Sequence, residues 1–160
     1  EKGEICVRGP QVMKGYWNRE KETAEVMKGG AFHTGDIGYM DEEGYVFIVD
    51  RIKDMINASG YKIYPRVVEE AIQLHPAVEE VVVVGVDDPY RGQTPKAFIK
   101  VRVDEQLTED ELEFFLKDKL STIERPKFYE FRDELPKTLI GKLSKKELRE
   151  EHAAATTNNR

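Results

Sequence analysis

The chain has 160 residues, enough for one good core or for a small domain with part of another. Charged residues make up 35% and apolar residues 39%, as in a globular protein with a well-solvated surface, and the net charge of −6 argues against a general nucleic-acid binder, whose affinity needs a basic face. No apolar run approaches the roughly 20 residues required to span a bilayer, and the single cysteine rules out an internal disulfide or a multi-cysteine metal site.

The chain opens on a strand pattern, Glu4-Ile5-Cys6-Val7-Arg8, without an initiator methionine, and is read as a piece of a longer protein. Cys6 lies in this apolar stretch and reads as a buried structural thiol, with a reducing, cytoplasmic setting as the expectation. Asn18 is placed to cap a helix over residues 20–27, ended by Gly29-Gly30. Asp41-Glu42-Glu43-Gly44 reads as a turn joining the strand Ile37-Gly38-Tyr39-Met40 to the strand Tyr45-Val46-Phe47-Ile48-Val49.

After Arg51 the pattern becomes a compact α+β unit. Pro65 opens a helix with Val67, Val68, Ala71 and Ile72 on one face. Val81-Val82-Val83-Val84 reads as a strand buried on both sides, central in its sheet. Residues 97–103 alternate, with Ile99, Val101 and Val103 opposite Lys100 and Arg102, which predicts a half-solvated strand. Thr108 with Glu111, and Ser144 with Glu147, form capping-box patterns flanked by leucines at staple positions. The first of these helices directs Leu112, Phe115, Leu116 and Leu120 inward. The small, polar tail over residues 152–160 is expected to fray.

Three constellations carry candidate chemistry. In His33-Thr34-Gly35-Asp36 the glycine lets backbone approach a ligand, and the aspartate is able to accept from two adjacent hydroxyls of a ribose; an Asx-type turn explains the same residues. In Asp50-Arg51-Ile52-Lys53-Asp54, Arg51 offers a fork of donors to ribose or phosphate, while the charge alternation equally fits an exposed strand laced with ion pairs. In Pro136-Lys137-Thr138-Leu139-Ile140-Gly141-Lys142 a tight loop presents Lys142, either as a solvated charge or as a point charge for phosphate oxygens.

Taken in order, Gly15-Tyr16-Trp17, His33-Thr34-Gly35-Asp36-Ile37-Gly38, Asp50-Arg51-Ile52-Lys53-Asp54, Ser59-Gly60-Tyr61-Lys62 and Pro136-Lys137-Thr138 to Gly141-Lys142 resemble the adenylate-forming superfamily of acyl-CoA synthetases, peptide-synthetase adenylation domains and firefly luciferase. The resemblance covers nearly the whole chain and is strongest to the fatty acyl-CoA ligase branch. It implies an α+β lid domain, a small mixed sheet with packed helices, over residues 54–160. Residues 1–50 would then be the strand-and-hairpin end of a larger N-terminal AMP-binding domain, and residues 51–53 the hinge.

The activity so implied is activation of a carboxylic acid, most closely a fatty acid, by ATP and Mg2+ to an acyl-adenylate, followed by transfer to coenzyme A. Asp36 and Arg51 match the nucleotide-binding positions, Lys53 the hinge and Lys142 the catalytic lysine of adenylation. Gly60 matches a CoA-proximal loop position where a missing side chain lets the pantetheine arm pass. No metal-ligating residue is expected, nor tight binding of any cofactor by this piece alone, since the phosphate loop and acyl pocket belong upstream. Two departures bear on chain length: Ala31-Phe32 stands where fatty acyl ligases commonly carry a tryptophan, and Lys145-Lys146 where arginine is frequent. Aryl-CoA ligation, an amino-acid adenylation domain and a non-catalytic α+β interaction module are the alternatives. The expected partners are the carboxylic acid, ATP, CoA and the missing N-terminal domain, with no nucleic acid and no transmembrane segment, in the cytoplasm or peripherally at a membrane.

Overall fold

One long strand organises the first third of the chain. The computed structural model describes residues 1–158, and in it β3 (Ala31–Met40) pairs antiparallel with β1 (Gly3–Val7), β2 (Met27–Lys28) and β4 (Val46–Arg51). Contrary to the sequence reading, the glycine pair does not stop a helix. Helix α1 (Glu20–Val26) ends earlier, and Gly29 and Gly30, at φ +58° and +72°, form the two-residue turn between β2 and β3. Nor does Asn18 cap α1. It sits at φ +53°, Arg19 takes the cap position, and the Thr23 hydroxyl accepts from Tyr16 N–H and donates to the Arg19 carbonyl. The Asp41 turn forms as read: its carboxylate accepts from the N–H groups of Glu43 and Tyr45, and Gly44 takes φ +87°.

Cys6 is exposed, contrary to the sequence reading, because β1 pairs only with β3 and nothing covers its outer face among the described residues. This region, Glu1–Lys53, is one compact unit and buries little apolar surface beyond Ala31 and Ile37. Tyr39, Met40, Tyr45, Val46, Phe47 and Ile48 stand exposed on the β3–β4 hairpin, with the Tyr39 and Phe47 rings stacked at 5.1 Å.

The second unit, from Asp54 onward, holds the main core. Its mixed sheet runs β6 (Tyr61–Ile63), β5 (Ile56–Ala58), β8 (Gly92–Val101), β7 (Val78–Asp88), with β9 (Phe128–Phe131) parallel to β8 and the other pairs antiparallel. Helices α2 (Pro65–Gln73) and α3 (Glu109–Leu116) cover one face, where Val68, Ile72, Leu112 and Leu116 meet Val81, Val83, Ala97 and Ile99. On the other face Leu148 of α4 (Lys145–Asn158) packs with Leu135, Val82, Val84, Val86 and Phe98. Two-sided cover explains the unbroken valine run.

Three expectations are corrected here. The central strand is β8 and not β7, and residues 97–103 are not a half-solvated strand because both faces of β8 are covered: Ala97 and Ile99 pack with α2 and α3, Phe98 with Leu148 of α4, and all three are fully buried, while Val103 lies beyond the strand and is exposed. β7 pairs on one side only, and α2 satisfies part of its other side, where Glu69 accepts from Val83 N–H and Gln73 donates to the carbonyls of Val78 and Glu79. The tail does not fray at residue 152, because α4 continues to Asn158, with Arg132 pairing Glu151 and Thr156 bonding back to His152; residues 159–160 of that expectation lie outside the described residues. The Thr108–Glu111 capping box forms completely, and Ser144 Oγ accepts from Glu147 N–H. No helix among the described residues is long and apolar enough to cross a membrane.

Candidate functional site

Antiparallel pairing of β3 with β4 sets Asp36 directly opposite Arg51, 15 positions on in the sequence. Arg51 Nε lies 3.2 Å from Asp36 Oδ1, with both side chains partly exposed. The turn ahead of Asp36 is held locally: Asp36 N–H donates to Thr34 Oγ1, whose own hydroxyl donates to the Ile5 carbonyl. Gly35 takes φ +73°, which only glycine adopts without strain, and its N–H points at Glu4. Gly38 answers to a different need. A β-carbon there would stand 2.5 Å from the Phe47 carbonyl oxygen, so the close approach of β3 and β4 requires its absence.

A cleft of about 520 Å³ opens beside this turn, lined among others by Tyr16, Thr34, Gly35, Arg51 and Lys53. Asp36 does not line it. The cleft therefore presents the Arg51 cation and the Gly35 backbone, with Asp36 reached through its ion pair. Lys53 is exposed in the single 3₁₀ turn Ile52–Asp54. On the far side of that turn Asp54 is fixed within the second unit, where its carboxylate accepts from Arg149 Nη2 at 2.7 Å.

Gly60 sits with Ser59 in the two-residue hairpin between β5 and β6, at φ +84° and +51° respectively. Backbone geometry alone accounts for this glycine, and the space around it is open to 4 Å. Ser59 N–H donates to the Arg91 carbonyl, which anchors the hairpin.

Lys142 closes a tight turn whose geometry is over-determined. Thr138 N–H donates to the Lys142 carbonyl at 2.6 Å, Gly141 N–H to the Thr138 carbonyl, and Lys142 N–H to Thr138 Oγ1; Gly141 takes φ +78°. Lys137 and Leu143 pair as an isolated bridge at its base. The lysines on either side are engaged, Lys137 with Glu80 at 2.6 Å and Lys145 with Glu69 at 2.9 Å. Lys142 itself is exposed and has no ion-pair partner among the described residues. Leu139 and Ile140 are fully and largely exposed at the tip.

Of the residues that sequence reasoning nominates, Asp36, Arg51, Lys53, Gly60 and Lys142, the structure brings Asp36 and Arg51 into contact. Sequence reasoning missed Arg149, Glu80 and Glu69, which hold the elements that carry them. Long-range ion pairs leave no periodic signal, so only the folded chain reveals them.

Residues 67–142 match the AMP-binding enzyme C-terminal domain. The chain is 54% identical over 151 residues to the long-chain-fatty-acid–CoA ligase of Bacillus subtilis (strain 168), a match covering 94% of this chain and 27% of that protein. It is 46% identical to the feruloyl-CoA synthase of an Amycolatopsis species, over 93% of this chain and 30% of that one. Among solved structures, ATP-bound MatB from Rhodopseudomonas palustris superposes with a TM-score of 0.89 at 35% identity, covering 95% of this chain and 30% of that one. The chain spans less than a third of the length of each of these proteins. Matches of this identity, running through both units and all three motif segments, show that the chain belongs to the AMP-binding, adenylate-forming enzymes and carries their C-terminal domain.

Proposed function

We propose that the chain is the C-terminal part of an AMP-forming acyl-CoA ligase that converts a fatty acid, ATP and CoA into acyl-CoA, AMP and pyrophosphate. One observation carries this reading. Lys142 has no ion-pair partner among the described residues and stands on a turn whose neighbouring lysines are both held by glutamates, so its backbone is fixed while its charge is kept for an incoming anion. In adenylation that charge would bridge carboxylate and phosphate oxygens, where preorganised electrostatics has most effect. Asp36 and Arg51 would take the ribose of the nucleotide, and Lys53 would change backbone angles between adenylation and thioester formation. The Ser59-Gly60 hairpin would border the CoA thiol.

Mg2+ would arrive on the phosphates of ATP, since it favours octahedral oxygen coordination. Nothing among the described residues forms an oxygen cage for it; the one three-residue cluster, Glu4-Cys6-His33, offers a single carboxylate. The exposed apolar face of the β3–β4 hairpin supports reading residues 1–50 as the end of a larger domain, with residues 51–53 as hinge and the lid from residue 54. A cytoplasmic or membrane-peripheral enzyme is the matching location.

Aryl-CoA ligation is the second reading, favoured by the 46% identity to a feruloyl-CoA synthase. A non-catalytic module would have no need for the Asp36–Arg51 pair together with a preorganised Lys142. The test is pyrophosphate release and acyl-CoA formation by the full-length protein with a long-chain fatty acid and with a hydroxycinnamate in parallel. Turnover of the fatty acid alone supports the proposal. Turnover of the aryl acid alone moves the assignment to the second reading, and turnover of neither overturns both.

A further inference from the structure

The β1–β3 pair brings together three potential ligands that the proposed nucleotide chemistry does not use. Cys6 and His33 are direct cross-strand partners, and Glu4 precedes Cys6 by two positions, the spacing that returns to the same face of a strand. The register shifts between Glu4 and Cys6, so that β3 bulges through Thr34-Gly35-Asp36 and Gly35 N–H reaches Glu4 Oε1 at 3.2 Å. His33 Nδ1 lies 2.7 Å from Glu4 Oε2 and 3.5 Å from Cys6 Sγ, and one ligand atom from each residue falls within 4.8 Å of the others.

We propose that Glu4, Cys6 and His33 form a site for a divalent cation of the zinc class. The proposal departs from the sequence-based expectation that no residue here ligates a metal; one cysteine excludes a multi-cysteine site but not a mixed one. The geometry separates this reading from a charge relay. A Cys–His–Glu relay needs the thiol on one ring nitrogen and the carboxylate on the other. Here the same nitrogen, Nδ1, faces both groups, so the three donors converge on a point and not along a chain.

The distances suit tetrahedral zinc. Bond lengths of about 2.3 Å to sulfur and 2.0–2.1 Å to nitrogen put a tetrahedral S–N edge at about 3.5 Å, the separation of Cys6 Sγ and His33 Nδ1. The corresponding N–O edge is about 3.3 Å, so the Glu4 carboxylate, now hydrogen-bonded at 2.7 Å, has only to retreat by about half an ångström. A thiolate and a carboxylate together neutralise a divalent ion, and a thiolate with an imidazole selects zinc over magnesium or calcium. Cys6 is exposed and the other two side chains are about one-third accessible, which leaves the fourth position to water. Two cations stand nearby and limit affinity. Arg8 is turned toward the Gly29 carbonyl at 2.9 Å, and Lys28 lies close enough to help hold the Glu4 carboxyl below its usual range, an effect led by the His33 hydrogen bond.

Binding has a local consequence. A metal on Glu4 Oε2 would share its carboxylate with Gly35 N–H, held by Oε1, and so would couple to the turn that presents Asp36. The site stands independently of the function proposed above.

The test is a titration of the reduced 160-residue chain with Co2+, followed by the thiolate-to-cobalt charge-transfer absorption, and then competition with Zn2+ against a chromophoric chelator. The expected result is one ion per chain with a charge-transfer band that Zn2+ abolishes. Outer partners of metal ligands are themselves worth 10–100-fold in affinity, so Cys6→Ser, His33→Gln and Glu4→Gln should each weaken Zn2+ by at least about 100-fold. His75→Gln and His152→Gln should leave affinity unchanged. Far-ultraviolet circular dichroism establishes that each variant is folded, and Cys6→Ala replaces Cys6→Ser should the latter not be. Absence of the charge-transfer band, or unchanged affinity in any folded variant of the three ligands, overturns the site.

Discussion

Arg149 in α4 donates to Asp54 at 2.7 Å across 95 residues of sequence, and Asp54 is the first residue after Lys53. The helix that follows the Lys142 loop is thereby tied to the start of the second unit, close to the proposed hinge. Asp54 is the more buried partner and Arg149 about one-third exposed. A charged hydrogen bond in that setting contributes about 1–2 kcal/mol. Asp54→Asn and Arg149→Met should each destabilise the chain by that amount in urea unfolding, and the double variant by little more than either. Fully additive effects would mean that the two residues act separately.

Acid should weaken a second link. Asp88 is buried, and its carboxyl is lowered to about 2, first by the Lys127 ammonium at 2.6 Å and then by the Arg91 N–H, with Tyr90 N–H adding to it. A depressed carboxyl stabilises the fold above its unfolded value of 3.8 and ceases to do so as pH falls through about 2. Asp88→Asn should therefore melt below the parent at pH 7, with the gap closing between about pH 4 and pH 2. A gap independent of pH would remove the ion pair as its cause.

Much of the second unit was legible from sequence because its signals are local and periodic. Pro65, the Thr108–Glu111 box and the valine run each specify their element within a few residues. What the sequence concealed depends on pairing. The alternation of residues 97–103 could not reveal that α2 and α3 cover one face of β8 and α4 the other, which turns a half-solvated pattern into a buried one. Gly29-Gly30 fits a helix stop and a hairpin turn equally well until β2 is seen to pair with β3. Asp36 and Arg51 belong to separate sequence motifs, and only the register of β3 on β4 makes them a pair.

Gly38 tests that register. Its β-carbon would meet the Phe47 carbonyl at 2.5 Å and Ile5 Cδ1 at 2.7 Å, and a carbonyl in a ladder has nowhere to move. Gly38→Ala should cost about 1–3 kcal/mol, the range of an overpacked site, and shift the backbone amide resonances of residues 36–48. Gly60→Ala, where nothing lies within 4 Å, should cost only the strain of its positive φ, about 1 kcal/mol. An equal cost at both positions would show that the close approach at Gly38 is not what demands glycine.

The roles proposed for Lys142 and Lys53 separate most cleanly when the two proposed half-reactions are measured apart in the full-length protein. As the acyl-adenylate forms, an anionic carboxylate meets a phosphate already dense with negative charge. In the proposed role the Lys142 ammonium, carried on backbone fixed by the Thr138–Gly141 turn and with no ion-pair partner among the described residues, would act on that step, and its loss should cost on the order of 10²–10³ in rate. Thioester formation starts from the acyl-adenylate, whose phosphate is only a monoanion, and no carboxylate has to be driven onto that phosphate in this step. Lys142→Ala should thus cripple adenylation and leave transfer from a supplied acyl-adenylate to CoA nearly intact. Lys53→Pro should show the reverse, because proline locks φ near −65° in the 3₁₀ turn where a hinge must change its angles. Adenylate would then accumulate unconsumed. If Lys142 is only surface charge and Lys53 only a turn residue, both variants stay within a few-fold of the parent in both steps. If Lys142→Ala slows the two steps equally, the lysine serves binding or folding and not the chemistry of adenylation.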